Sequence, residues 1–236
     1  MEIQNEIVKV ADKYVGIREV PGNNGWINEK YPEFAKQFEE DMKSHGFSYG
    51  QAWCAYFGEL VWAEVYDKIG LSSDMDKYFS GSARRTLAKF KASEDWETGL
   101  VPVVGAIVVW KRMKNGNAKW QGHVGIVKEI HDGYMLTVEG NTNSAGSREG
   151  DTVARKIRKY NFVVSSGLAL EGFIYPKGVK PHVPFKNKSE GDKFRQWVNN
   201  YHPELAKDID LDRSGSFFNS FIETAWKRLG DKYEDK

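Results

Sequence analysis
The sequence predicts an α+β protein in which N-terminal helices pack on an antiparallel sheet and a small C-terminal helical unit follows. Two observations carry this expectation. Apolar residues recur at helical spacing through the first part of the chain, and from about residue 104 the period becomes strand-like. The strand-like runs then follow one another, bounded by Gly or Asn, without the alternating helices that a parallel nucleotide-binding sheet requires.

Ile3, Ile7, Val10 and Tyr14 mark a first helix, which Gly16 ends. The turn Pro21-Gly22-Asn23-Asn24-Gly25 separates it from a second, short helix carrying Tyr31, Phe34, Phe38 and Met42. A third helix opens at Cys54 and is apolar on several sides as far as Trp62, as expected of a helix packed into a core. Ser82 to Ala92 reads as a fourth. Strands are expected at Ala106–Trp110, His123–Val127 and Tyr134–Val138, with Thr152–Tyr160 and Leu168–Tyr175 extending the sheet. The stretch Pro176 to Lys188 holds three prolines and four lysines without periodicity, so residues 1–178 are expected to form the main domain and 179–188 a linker. In residues 189–236, Phe194, Trp197 and Val198, then Phe218, Ile222, Ala225, Trp226 and Leu229, give two helical stripes.

Charge narrows the partners. With 34 Lys and Arg against 33 Asp and Glu, the net charge of +1 supplies no field for nucleic acid or an anionic membrane. The longest apolar stretch, Val101–Trp110, is interrupted by Pro102 and Gly105 and falls short of the ~18 residues that span a bilayer, so no membrane insertion is expected. The first residues lack the basic flank and apolar core of a signal peptide. One cysteine excludes an intrachain disulfide and a multi-cysteine zinc site.

That cysteine opens a helix, where the helix dipole and backbone N–H groups favour a thiolate. Cys54 therefore reads either as a nucleophile or as a small buried hydrophobe. Four histidines, His45, His131, His182 and His202, have polar or turn-like surroundings and no partner pattern. His123 begins a strand between Gly122 and Gly125, where an uncovered imidazole could serve as a base; the alternative is a hydrogen-bonded sheet histidine. Glu139 and Asn141 share a strand face, and a turn at Asp132-Gly133 would bring one of them beside His123. Cysteine, histidine and polar orienter in that order are compatible with a papain-like cysteine hydrolase.

Trp53-Cys54-Ala55, Gly122-His123-Val124-Gly125-Ile126-Val127 and Glu139-Gly140-Asn141-Thr142-Asn143 together resemble the CHAP (cysteine, histidine-dependent amidohydrolase/peptidase) domains of phage endolysins and bacterial autolysins. The runs Val15 to Asn23 and Gly140 to Gly150 are similar to a subgroup of these lysins. The resemblance covers roughly residues 5–176. It implies a papain-like core and a peptidoglycan hydrolase that cleaves an amide of the stem peptide or cross-bridge, with an endopeptidase or an N-acetylmuramoyl-L-alanine amidase specificity. Cys54 is implied as nucleophile and His123 as base and acid, with Glu139 and Asn141 at the third position or supporting it. Gln51 is a possible oxyanion donor, and Trp110, Trp120 and Asn143 are candidate substrate contacts, although at least one tryptophan is expected to pack in the core or across strands.

An acyl-enzyme route needs neither metal nor organic cofactor. Peptidoglycan is the implied partner, the monomer is the default state, and an endolysin would remain in the host cytoplasm until released to the wall. The other readings are an amidase on a non-wall substrate and a wall-binding protein with an inert Cys54. The segment from Glu190 is similar to short helical modules taken to bind cell wall; a helical cap on the catalytic domain is the alternative. The run Asp208 to Gly215 superficially matches a calcium loop, but the alignment puts Phe221 where a bidentate Glu must stand. Asp212 and Ser214 fit a turn or a helix N-cap better.

Overall fold
The computed structural model describes residues 2–21, 24–131, 134–142, 150–159, 164–165 and 167–179. The expected helical unit at 189–236, and the linker beyond Val179, lie outside the described residues. Five helices come early in the chain: α1 (Ile3–Lys13), α2 (Pro32–Ser44), α3 (Cys54–Asp67), α4 (Ser72–Asp76) and α5 (Ala83–Lys91). Short strands β1 (Arg18–Glu19), β2 (Trp26–Ile27) and β3 (Thr98–Gly99) accompany them. The long strands follow as β4 (Ile107–Lys114), β5 (Asn117–His131), β6 (Tyr134–Thr142), β7 (Thr152–Lys159) and β8 (Leu168–Ile174). The strands form one sheet in the order β2-β1-β7-β6-β5-β4-β8-β3, with every neighbouring pair antiparallel. The predicted α+β class is therefore the observed one.

Strand pleating sends successive side chains to opposite faces, and both faces are covered. On one, Val109, Val124, Ile126 and Val138 join Phe38, Trp53, Phe57 and Trp62 of the helical segment in a large apolar cluster. On the other, Val108, Trp110, Val127, Met135 and Leu170 form a smaller cluster. Helix α3 is buried along most of its length and packs on β5 and β6, which accounts for its apolar residues on several sides.

Close approach of α3 to β6 depends on Gly140. A Cβ there would lie 2.6 Å from Trp53 Cζ3 and 2.8 Å from Phe57. Electrostatic ties fasten α1 to the sheet as well: the Asp12 carboxylate accepts from Arg155 Nε of β7 at 2.8 Å and from Lys128 Nζ of β5 at 2.7 Å. Burial opposes ionisation of Asp12, but these two cations hold its carboxyl below the ordinary range.

Candidate active site
Cys54 is the first residue of α3, and the preceding Trp53 makes no side-chain cap bond to that helix. Its indole is used elsewhere: Trp53 Nε1 donates to Glu19 Oε2 at 2.9 Å inside the protein. Glu19 reaches this position because β1 is held by its backbone bond to Asp151 and by pairing with β2. Burial raises the Glu19 carboxyl, the indole hydrogen bond opposes that rise, and nearby Asp151 adds to it. The run Val15 to Asn23 thus contributes a buried carboxylate that fixes the residue next to Cys54.

His123 lies on β5, paired across to Trp110 on β4. The two rings stack at 5.8 Å with 23° between their planes. The expectation of an uncovered strand-edge imidazole is corrected here, because β5 runs between β4 and β6 and His123 is only 2 % exposed. Continuing the β5–β6 register from Ile126↔Val138 sets Gly125 across from Glu139. Gly125 serves space rather than exposure: a Cβ there would stand 2.7 Å from Glu139 Cγ. The glutamate crosses this gap, and its Oε2 meets His123 Nε2 at 2.9 Å.

Glu139 is completely buried and satisfied on both oxygens. Thr137 Oγ1 donates to Oε1 at 2.6 Å, while Arg158 of β7 donates through Nε to Oε1 at 2.8 Å and through a terminal nitrogen to Oε2 at 2.5 Å. The Arg158 guanidinium also lies 5.4 Å from the centre of the Trp110 ring, a cation–π distance. Arg158, Glu139 and His123 therefore form a buried chain of charge-assisted bonds braced by one indole.

Burial alone would raise the Glu139 carboxyl, but Arg158 and His123 overcome it and hold the group down at about 2. Burial likewise opposes the charged imidazole, yet coupling to Cys54 and to Glu139 holds His123 up at about 9. With Nε2 committed to Glu139, Nδ1 is the nitrogen left for the thiol. Nδ1 meets no partner at strict hydrogen-bond geometry, while Cys54 interacts with the ring both electrostatically and as a hydrogen-bonding group. Resting catalytic contacts are commonly long and tighten when substrate binds. The arrangement can hold a thiolate beside an imidazolium, the state needed to attack a carbonyl.

The remaining expected residues are spread around this chain. Asn141 is buried at the end of β6 with φ 54°, in the left-handed region that Asn tolerates better than most residues. It follows Glu139 within a register shift of β6 against β7. Gln51 lies shortly before α3, and its Oε1 accepts from Ser48 N at 3.2 Å and Tyr56 OH at 3.0 Å. Trp110 is buried under the site, whereas Trp120 is 72 % exposed on β5. Asn143 lies outside the described residues. Sequence reasoning missed Arg158 and Thr137, whose local context is an ordinary strand, and Glu19, which carries no signal of its own.

Comparison with known proteins adds the following. No curated protein matches the chain. Among solved structures, the crystal structure of Ly7917 is similar at 14 % identity and a TM-score of 0.40, over 75 % of this chain and 63 % of that one. Cys54, His123, Glu139 and Asn141 all fall within residues 44–141, which match the family model of the CHAP domain.

Proposed function
We propose that the protein is a cysteine-dependent peptidoglycan hydrolase that cleaves an amide bond in the stem peptide or cross-bridge. The observation that carries this reading is the buried chain in which Glu139 takes His123 Nε2 at 2.9 Å and leaves Nδ1 for Cys54. The CHAP match supplies the substrate class, and the motif resemblance favours an endolysin role.

In the reaction, the Cys54 thiolate attacks the amide carbonyl carbon, and the developing oxyanion is met by backbone N–H groups at the start of α3. Gln51, just ahead of α3, is the side-chain candidate, because the two bonds to its Oε1 leave the NH₂ end to donate. Imidazolium Nδ1 gives its proton to the departing amine as the C–N bond breaks, leaving a thioester. Neutral His123 then takes a proton from water, which adds to the thioester carbonyl; collapse of the second tetrahedral species releases a carboxylate and restores the thiolate–imidazolium pair. Glu139 keeps the ring in the tautomer and orientation both steps need, and Arg158 keeps Glu139 ionised. Trp120 offers an exposed face to substrate; Asn141 shapes the end of β6.

Incubation of the protein and a Cys54→Ala control with peptidoglycan sacculi tests this reading. New amino ends without new reducing ends, absent from the control, are expected, and fragment masses distinguish endopeptidase from muramoyl-alanine amidase cleavage. New reducing ends, or release that survives Cys54→Ala, would overturn it.

A further inference from the structure
A second cluster of ligand-type side chains lies outside the chain of residues used above. His45 caps the C-terminal end of α2, Glu59 lies within α3 and Asp76 ends α4. Each offers one donor atom, and these three atoms lie within 4.8 Å of one another. We propose that His45, Glu59 and Asp76 bind one divalent transition-metal ion, with zinc as the best fit.

Three features support the assignment. First, the His45–Glu59 spacing suits a shared ion better than a direct hydrogen bond. His45 Nδ1 and Glu59 Oε1 stand 3.7 Å apart, whereas a charge-assisted N–H···O bond closes to about 2.8 Å. Ligands at about 2.0–2.2 Å from a tetrahedral zinc stand about 3.4 Å from each other.

Second, Glu59 is a buried carboxylate whose charged partner stands back. Its side chain is 9 % exposed, and His45 Nδ1 lies 3.7 Å from its Oε1. A cation held between Glu59 and His45 compensates that buried charge.

Third, the surroundings are anionic. Asp67 acts on both His45 and Asp76, so three carboxylates share this corner with one histidine and Lys89. Lys89 is turned to the carbonyls of Lys77 and Phe79, at 3.0 and 2.9 Å.

The donor set selects the metal. An imidazole nitrogen with carboxylate oxygens suits zinc and its transition-series neighbours, while calcium and magnesium prefer oxygen alone. Water completes four-coordination. The three ligands come from three helices, and Glu59 is five positions beyond Cys54 on α3. The ion therefore ties the helix that presents the nucleophile to α2 and α4. Its role is structural and does not depend on the proposed hydrolase activity.

The test uses full-length Cys54→Ser protein, in which the only thiol can no longer compete for metal. After dialysis against chelator, it is titrated with zinc chloride by calorimetry and followed by thermal unfolding. One equivalent bound with micromolar or tighter affinity is expected, with a rise in Tm. His45→Ala and Glu59→Gln should each weaken binding at least tenfold and abolish the Tm rise. No binding, unchanged binding in both folded variants, or a preference for calcium would overturn the site. Should the variants not fold, X-ray absorption of the zinc-loaded Cys54→Ser protein decides: one imidazole with oxygen ligands supports the assignment, and two or more imidazoles refute it.

Discussion
The acid–base pair is built from residues that each solve another's problem. Glu139 could not be an ion in the interior without Arg158, and His123 could not stay charged there without Glu139 and the thiol. Replacing Glu139 by Gln removes the charge that holds the imidazolium, so kcat/KM should fall by about 10²–10⁴. The alkaline limb of the pH–rate profile, expected near pH 9 in the wild type, should move to lower pH. Replacing Arg158 by Met leaves the buried Glu139 with only His123 and Thr137, and chemical denaturation should register a loss of about 3–5 kcal/mol.

The pH dependence of stability follows from the same groups. A raised His123 pKa contributes stability that is full below the unfolded value of 6.5 and is lost as pH rises through about 9. A depressed Glu139 pKa contributes stability that is full above 4.5 and is lost as pH falls through about 2. Denaturant midpoints should therefore fall more between pH 7 and 10 in wild type than in His123→Ala. Equal slopes would remove His123 from this account.

At the scale of elements, the site depends on how closely α3 meets the sheet. A methyl group at Gly140 meets Trp53 and Phe57, so Gly140→Ala should cost about 1–3 kcal/mol and lower activity by moving Cys54. Gly125→Ala places its methyl against Glu139 instead, so its effect should fall mainly on kcat. A calorimetric Tm and a rate measured on each variant separate the two. The long elements were legible because their apolar periods are strong: Ile7 and Val10 of α1, Phe38 and Met42 of α2 and most of the Cys54–Trp62 run of α3 are buried, whereas Tyr31, expected on the second helix, stands before α2 and is exposed. The five-residue α4 and the two-residue β1, β2 and β3 are too short to establish a period.

The same contrast holds for the site. Cys54, His123 and Glu139 were visible because each sits at an element boundary or beside glycine. Arg158 was not, because its partner lies 19 residues away on a neighbouring strand and nothing in the run Thr152 to Lys159 distinguishes one cation from the others. His45, Glu59 and Asp76 are likewise scattered over three helices and meet only after folding.

At the scale of the whole molecule, the described residues up to Val179 already supply two apolar clusters and the Cys54–His123–Glu139–Arg158 chain. A chain ending at Val179 should keep its Tm within a few degrees and its rate on soluble muropeptides within twofold. Any selective loss on intact sacculi then measures what residues 189–236 add as a wall-binding unit. A truncated chain that fails to fold would make those residues part of the core.

The most direct test of the account is the alkylation rate of Cys54 by iodoacetamide between pH 4 and 9. Because the chain has one cysteine, every modification reports on this thiol. An ordinary thiol with pKa about 8.5 is only about 0.1 % thiolate at pH 5.5. Rapid modification well below neutral pH is expected, with that advantage lost in His123→Ala and reduced in Glu139→Gln. A rate that follows an ordinary thiol titration, or one identical in wild type and His123→Ala, would contradict it.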